Sequence, residues 1–252
     1  MELLFDIGNS NIVLGIYKDG QIQTTLRLFT DRKKTSDEYA ILLNALMKEM
    51  LHEDTPSGAA IASVVPELTF PIAKAVEKMF GIVPFVVKAG VKTGLNVPGS
   101  TPGAVGADFI CGAVGAAVME KLPAIVVDLG TATKFFVVTK EHTFLGGSIL
   151  PGVQISLEAL SSQTSQLPRI EFMKNPPIIS LQTVEAMNSG LIHGTASMVD
   201  GMIARYKQEI GEATVIATGG LAPLILPHCR ESITYSPELI LIGLSEIYRK
   251  NR

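Results

Sequence analysis

An apolar run that ends in aspartate, turns on a glycine with short polar neighbours and leaves as a second apolar run occurs twice in this chain. The first copy is Leu3-Leu4-Phe5, then Asp6-Ile7-Gly8-Asn9-Ser10-Asn11, then Ile12 to Tyr17. The second is Ala124 to Val127, then Asp128-Leu129-Gly130-Thr131-Ala132-Thr133, then Lys134 to Thr139. A strand that returns straight after a tight polar turn argues against a dinucleotide-binding βαβ start, which places a helix there. Two such units in 252 residues predict a duplicated domain with a cleft between the halves.

The chemistry of the two turns points the same way. A glycine beside short polar residues lets backbone N–H groups curl around phosphate oxygens. Asn9, Ser10 and Asn11 in the first turn, and Thr131 and Thr133 around Ala132 in the second, add side-chain donors. A carboxylate repels bare phosphate, so Asp6, and with it Asp128, is useful as a holder of magnesium or its water shell. Either turn alone is common; the pair predicts phosphate binding. The chain holds neither GxxxxGK[ST] nor a GxGxxG after a strand, so phosphate has to be held by these turns.

Three further segments are candidates. Thr218-Gly219-Gly220 after a strand would let a flat adenine or ribose lie on backbone, or is a plain strand-to-helix turn. Gly106-Ala107-Asp108 puts a carboxylate at a helix start, where it is a cap or accepts a proton from an attacking hydroxyl. Gly146-Gly147-Ser148-Ile149-Leu150-Pro151-Gly152 is a loop near the ligand or a rigid connection from strand to helix.

The rest of the pattern is mixed. Gln21 to Leu28 alternates as a third strand, Asp37 to Met50 has helical spacing, Ala59 to Val65 is a strand and Phe70 to Phe80 a helix. Val83 to Val87 is a buried strand, Ala107 to Met119 a helix of small residues, and Thr143 to Leu145 a short strand. Helices are expected at Ser156 to Leu160, Thr183 to Tyr206 and Pro237 to Tyr248, with a strand at Val215 to Ala217. Met187, Leu191, Met198 and Met202 belong to core or subunit contacts. The expected division is 1–115 and 116–252, each an α/β domain.

Composition excludes several classes. A net charge of -3 offers nothing to a nucleic-acid backbone, and Arg32-Lys33-Lys34 is offset by Asp31 and Asp37, so it reads as solvated surface. Cys111 and Cys229 are too few for a disulfide framework, which favours a reduced, cytoplasmic setting. Ile110 to Met119 is too short to span a bilayer, so no membrane role is expected. His52, His142, His193 and His228 show no ligand spacing for zinc.

At these residues the chain resembles the type III pantothenate kinases of the actin-like kinase superfamily. The matching stretches are DIGNSNIVLGIY at 6–17, VVPELT at 64–69, VGAD at 105–108, VVDLGTAT at 126–133, LGGSILPG at 145–152, TVEAMNSG at 183–190 and ATGGLA at 217–222. The resemblance implies a duplicated ribonuclease-H-like fold and a homodimer. It also implies ATP-dependent phosphorylation of pantothenate, the first step of coenzyme A biosynthesis, with magnesium and a monovalent cation, potassium or ammonium. By similarity Asp6 belongs to the first phosphate and metal turn, and Asp128, Thr131 and Thr133 to the second. Gly219 and Gly220 lie on the nucleotide side, Asp108 is the general base, and Thr183 reaches pantothenate across the dimer interface.

The chain departs from the family pattern in four places. Gly99 stands where the pattern has tyrosine, Phe109 where it has arginine, Thr133-Lys134-Phe135-Phe136 where it has Thr-Thr-Phe-Asp, and Ser180-Leu181-Gln182 before Thr183 where it has Gly and Asn. With Gly106, Ala107 and Asp108, Phe109 belongs to the acceptor side, and phenylalanine gives a carboxylate no donor. Two alternatives therefore stand beside the kinase: a nucleotide-binding paralogue with an altered acceptor or little transfer, and an actin-like ATPase.

Overall fold

The computed structural model describes residues 1–50, 55–98 and 105–252. His52 and the segment from Gly99 to Ala104 lie outside the described residues. In chain order the first half runs β1 (Glu2–Ile7), β2 (Asn11–Lys18), β3 (Gln21–Phe29), α1 (Ser36–Met50), β4 (Gly58–Ser63), α2 (Pro66–Phe80), β5 (Phe85–Val86) and α3 (Ala107–Met119). The second half runs β6 (Ala124–Leu129), β7 (Ala132–Val138), β8 (Phe144–Pro151), α4 (Val153–Gln163), α5 (Thr183–Ile210), β9 (Thr214–Thr218), α6 (Ala222–Ile225), β10 (Thr234–Tyr235) and α7 (Leu239–Lys250).

Among the described residues these strands form two five-stranded sheets, ordered β3-β2-β1-β4-β5 and β8-β7-β6-β9-β10. In each, an antiparallel meander of three strands is followed by parallel strands on the far side of the first. The strand order of the second sheet repeats that of the first, as the recurring acidic hairpin predicts.

The chain separates into two compact units, Met1–Met119 with Glu238–Arg252, and Glu120–Pro237. The first unit thus takes back the C-terminal helix that the expected division at 115 leaves with the second half. Packing explains it. β1 alternates, with Leu3, Phe5 and Ile7 against Tyr39 and Leu43 of α1 and Leu68 and Ile72 of α2. Leu4 on the other face joins Cys111 and Val114 of α3 and Leu241, Leu244 and Ile247 of α7. Without α7 this second core would face water. The two helices approach at glycines: a Cβ on Gly243 would lie 1.8 Å from the Cys111 carbonyl oxygen, and one on Gly115 2.2 Å from that of Leu239.

In the second unit Ile125, Val127 and Leu129 of β6 face Leu157 of α4 and Ile192, Ala196 and Val199 of α5. By strand alternation each acidic residue lies on the opposite face from these cores: Asp6 on the face of Leu4, and Asp128 on that of Val126.

Three expectations are corrected. Val83 to Val87 shrinks to the two residues of β5 and Val83 is exposed, because Pro84 has no N–H to give at this sheet edge. Gly146 to Pro151 is neither loop nor turn but part of β8, whose edge position tolerates its glycines; at Gly147 a Cβ would overlap the Phe135 carbonyl. Helix α2 begins at Pro66 rather than Phe70, since proline's missing N–H costs nothing in a first turn.

Candidate phosphate turns and acceptor pocket

The first turn is closed by its own backbone and tied to the segment after β3. Gly8 N donates to Asn11 O at 3.0 Å, and Thr30 N to Ser10 O at 3.1 Å. The Thr30 hydroxyl donates to Gly8 O at 2.7 Å, and Arg32 donates to Asn9 Oδ1 at 2.8 Å. Arg32 therefore sits at the turn, although the charge pattern reads it as plain surface. Nothing in the sequence signals this, because the contact depends on how β3 ends beside the β1–β2 turn. Lys34 does pair locally, with Asp31 at 2.7 Å.

Asp108 opens α3. Its Oδ1 accepts from Phe109 N at 2.8 Å, and a Cβ on Gly106 would come within 2.6 Å of that oxygen, so glycine is required for the carboxylate to fold back. Asp6 and Asp108 come from different elements, yet both act on one thiol. Cys111 is fully buried, and its pKa is pushed well above the usual thiol range by burial first, then by the charges of Asp6 and Asp108. The fold thus brings together two of the expected residues. Gly106 and Ala107 border a cavity of about 710 Å³, which Ser63, Val64, Val87, Lys88, Leu95 and Ile110 also line. Lys88 is the charged side chain of that lining and is missed by the motif reading. Phe109, next to Asp108 in sequence, is half-buried.

The second turn gathers more of the expected segments. A Cβ on Gly130 would lie 3.1 Å from Asp128 Oδ1, which places the carboxylate against the turn. Gly219, at φ 96°, lies so close to Leu129 that a Cβ there would be 2.4 Å from its carbonyl carbon. Leu221 N donates to Leu129 O at 3.1 Å. A Cβ on Gly152 would be 2.1 Å from the Thr131 carbonyl oxygen and 2.8 Å from that of Gly130. So Thr218-Gly219-Gly220 and the end of the Gly146 to Gly152 segment both pack on Gly130, Thr131 and their neighbours. Thr133 is 1% exposed, its hydroxyl oxygen has no hydrogen-bond partner, and alternation puts it on the face of Leu129 and Phe135.

Asp128 is engaged by a cation. Lys134 Nζ is 2.7 Å from its Oδ2, with side-chain exposures of 14% and 9%. As a site for magnesium the second turn therefore fits poorly, since one carboxylate oxygen already carries an ammonium. Asp6, half-buried at the first turn beside Asn9 and Ser10, offers the hard oxygen donors that magnesium takes.

Thr183 opens α5 and is exposed. It borders a groove of about 480 Å³ with Leu160, Leu167, Leu181, Met187 and Leu191. Nearby in sequence Ile178, Ile179 and Leu181 are exposed at 68%, 87% and 104%. His193 and His228 meet edge to face at 4.8 Å, and each bonds a backbone carbonyl through Nε2. Among the described residues no group of three His, Cys, Asp or Glu side chains has the geometry to hold a metal.

A family model described as Type III pantothenate kinase matches residues 2–205. The chain belongs to the type III pantothenate kinases. It is 43% identical over 253 aligned residues to a Type III pantothenate kinase of Exiguobacterium sibiricum, covering all of both chains. A Type III pantothenate kinase of another Exiguobacterium is 42% identical with the same coverage. In fold the chain is similar to a ROK family glucokinase from Streptomyces griseus crystallised with glucose and AMPPNP. There the TM-score is 0.56 at 12% identity, covering 99% of both chains. The fold is accordingly the duplicated ribonuclease-H-like arrangement of actin-like kinases.

Within this family pattern the departure at Phe136 has a structural reason. Phe136 is 2% exposed and its ring lies 6.0 Å from that of Phe144, so it is a core residue of the second sheet.

Proposed function

We propose that this chain transfers the γ-phosphoryl group of ATP to the hydroxyl of pantothenate, the first step of coenzyme A biosynthesis. The observation that carries this reading is the relatedness to pantothenate kinases from one end of the chain to the other. The local geometry supports it. Asp108 directly follows Gly106 and Ala107, which line a cavity of about 710 Å³, large enough for a small acceptor. In this reading Asp108 orients the acceptor hydroxyl and takes its proton as the oxygen attacks phosphorus. Gly8, Asn9, Ser10 and Asn11 of the first turn, and Gly130, Thr131, Ala132 and Thr133 of the second, donate N–H and hydroxyl groups to phosphate oxygens. Thr133 contributes through its backbone, since its side chain faces the core. Gly219 and Gly220 give the nucleotide a flat backbone surface.

Asp6 is the residue that would hold magnesium, which when bound neutralises phosphate charge. Lys88 supplies the cation that Phe109 does not, and it faces the acceptor's carboxylate. The exposed apolar residues around Thr183 fit a homodimer in which Thr183 reaches the partner's acceptor. We place the enzyme in the cytoplasm, in keeping with two free cysteines. No helix among the described residues is long and apolar enough to cross a membrane.

The departures at Phe109 and Phe136 would also suit a nucleotide-binding paralogue without transfer. Relatedness over the full length favours the kinase, and acceptor-dependent ADP release separates the two. Purified protein with magnesium and ATP is expected to release ADP only when pantothenate is added. Asp108→Asn should lower that rate by about 10²-fold or more with nucleotide affinity unchanged. Normal turnover in the variant would remove Asp108 from the role of base.

A further inference from the structure

Asp128 and Lys134 are directly opposed on the antiparallel strands β6 and β7. Opposed residues project from the same face within contact distance, so the pair is set by sheet register and not by a chance side-chain reach. Their oxygen and nitrogen meet at 2.7 Å with little exposure to water. The carboxylate is also the one that Gly130 lets lie against the phosphate turn. A fixed positive charge is thereby placed at the root of the second turn. In the equivalent hairpin of the first unit the residue opposed to Asp6 is Val13, so the register pair of a carboxylate with a lysine belongs to the second turn.

An alkylammonium on a carboxylate has the charge and the donors of a bound ammonium ion, and its tether removes the entropic cost of capturing one from solution. A second cation on the same carboxylate would meet like-charge repulsion. Where the family pattern has threonine, this chain carries the cation covalently. We propose that the Lys134 ammonium is a built-in monovalent cation of the second phosphate turn, so that nucleotide binding and phosphoryl transfer here need no potassium or ammonium from solution. Lys134 is on this view a positioning residue that holds Asp128 and the turn in their phosphate-binding form. The transfer part of the proposal rests on the kinase reading; the binding part does not.

The test measures affinity for magnesium-AMPPNP by calorimetry, alongside pantothenate-dependent ADP release, in choline, sodium, potassium and ammonium chloride at one ionic strength. For the unaltered protein both quantities should vary by less than about twofold across the salts, and Lys134→Thr should bind about tenfold more weakly in choline and recover in potassium or ammonium. Affinity or turnover of the unaltered protein rising about tenfold from choline to potassium would overturn the proposal. So would a threonine variant that keeps full affinity in choline, or one that loses it in every salt while still unfolding cooperatively. If that variant does not fold, the salt series on the unaltered protein decides, together with Lys134→Arg, which keeps the charge and should keep the indifference to salt. Salt-independent nucleotide affinity without turnover on pantothenate in any salt would sink the kinase reading and support the role of Lys134.

Discussion

At Gly219 two constraints fall on one residue. Its φ of 96° lies where side chains are strained, and a Cβ would meet the backbone of Leu129 at 2.4 Å. Gly211, at φ 81°, has the first constraint alone, with nothing within 4 Å of an added Cβ. Gly211→Ala should therefore cost about 1–3 kcal/mol of stability and leave nucleotide binding alone. Gly219→Ala should cost more and weaken ATP binding about tenfold or beyond, because the clash is relieved only by moving the second turn. Thermal unfolding and calorimetric titration of the two variants check this; equal losses would mean that the contact with Leu129 is unimportant. The two cysteines show how burial, with nearby carboxylates adding to it, sets chemistry. Burial pushes the Cys229 thiol up to about 12 with Asp200 adding to it, and holds Cys111 higher than its usual range as well. Neither is poised as a nucleophile, because the thiolate is the reactive form.

At the scale of elements, local chemistry is legible where it is self-contained. Helix α1 is capped by Thr35 and Glu38 in a reciprocal box: Thr35 N donates to Glu38 Oε2 at 2.8 Å, and Glu38 N to Thr35 Oγ1 at 3.3 Å. Donation from the backbone N–H of Thr35 first, and then from its hydroxyl to Glu38 Oε2 at 2.9 Å, holds the Glu38 carboxyl below its usual range. A depressed carboxylate stabilises above its unfolded pKa, and the effect is lost as pH falls through the folded value. Thr35→Ala should cost about 1 kcal/mol in denaturant unfolding at neutral pH. A loss near zero would mean that packing of Tyr39 and Leu43 holds the helix start without the cap. Elements at sheet edges are less legible. The Gly146 to Pro151 run looks like a loop by composition and is β8, because its pairing partner Ala132 to Val137 lies in a strand that supplies the hydrogen bonds. Val83 looks like a strand and is exposed, because Pro84 interrupts the pairing.

For the molecule as a whole, the proposed homodimer is tested at the surface around Thr183. Ile178, Ile179, Leu181 and Val184 are exposed there, an apolar patch of the kind a subunit interface covers. Sedimentation at micromolar concentration is expected to give a dimer, and Leu181→Asp to shift it toward monomer with loss of acceptor affinity; an unaltered protein that stays monomeric would remove Thr183 from the acceptor site. The recurrence of an acidic glycine turn was enough to announce duplication, since turn chemistry is local and survives without its surroundings. It also gave Asp6 and Asp128 as residues to watch, while Asp108 came from its place at a helix start. The sequence by itself did not determine which groups meet them. That Arg32 reaches Asn9, that Gly152 and Gly219 pack on the second turn, and that α7 returns to α3 all depend on partners distant in the chain. Lys134 is the sharpest case. In the sequence it is a strand residue standing where the family pattern has threonine, and only the register of β6 on β7 turns the pair into a buried carboxylate with its own cation.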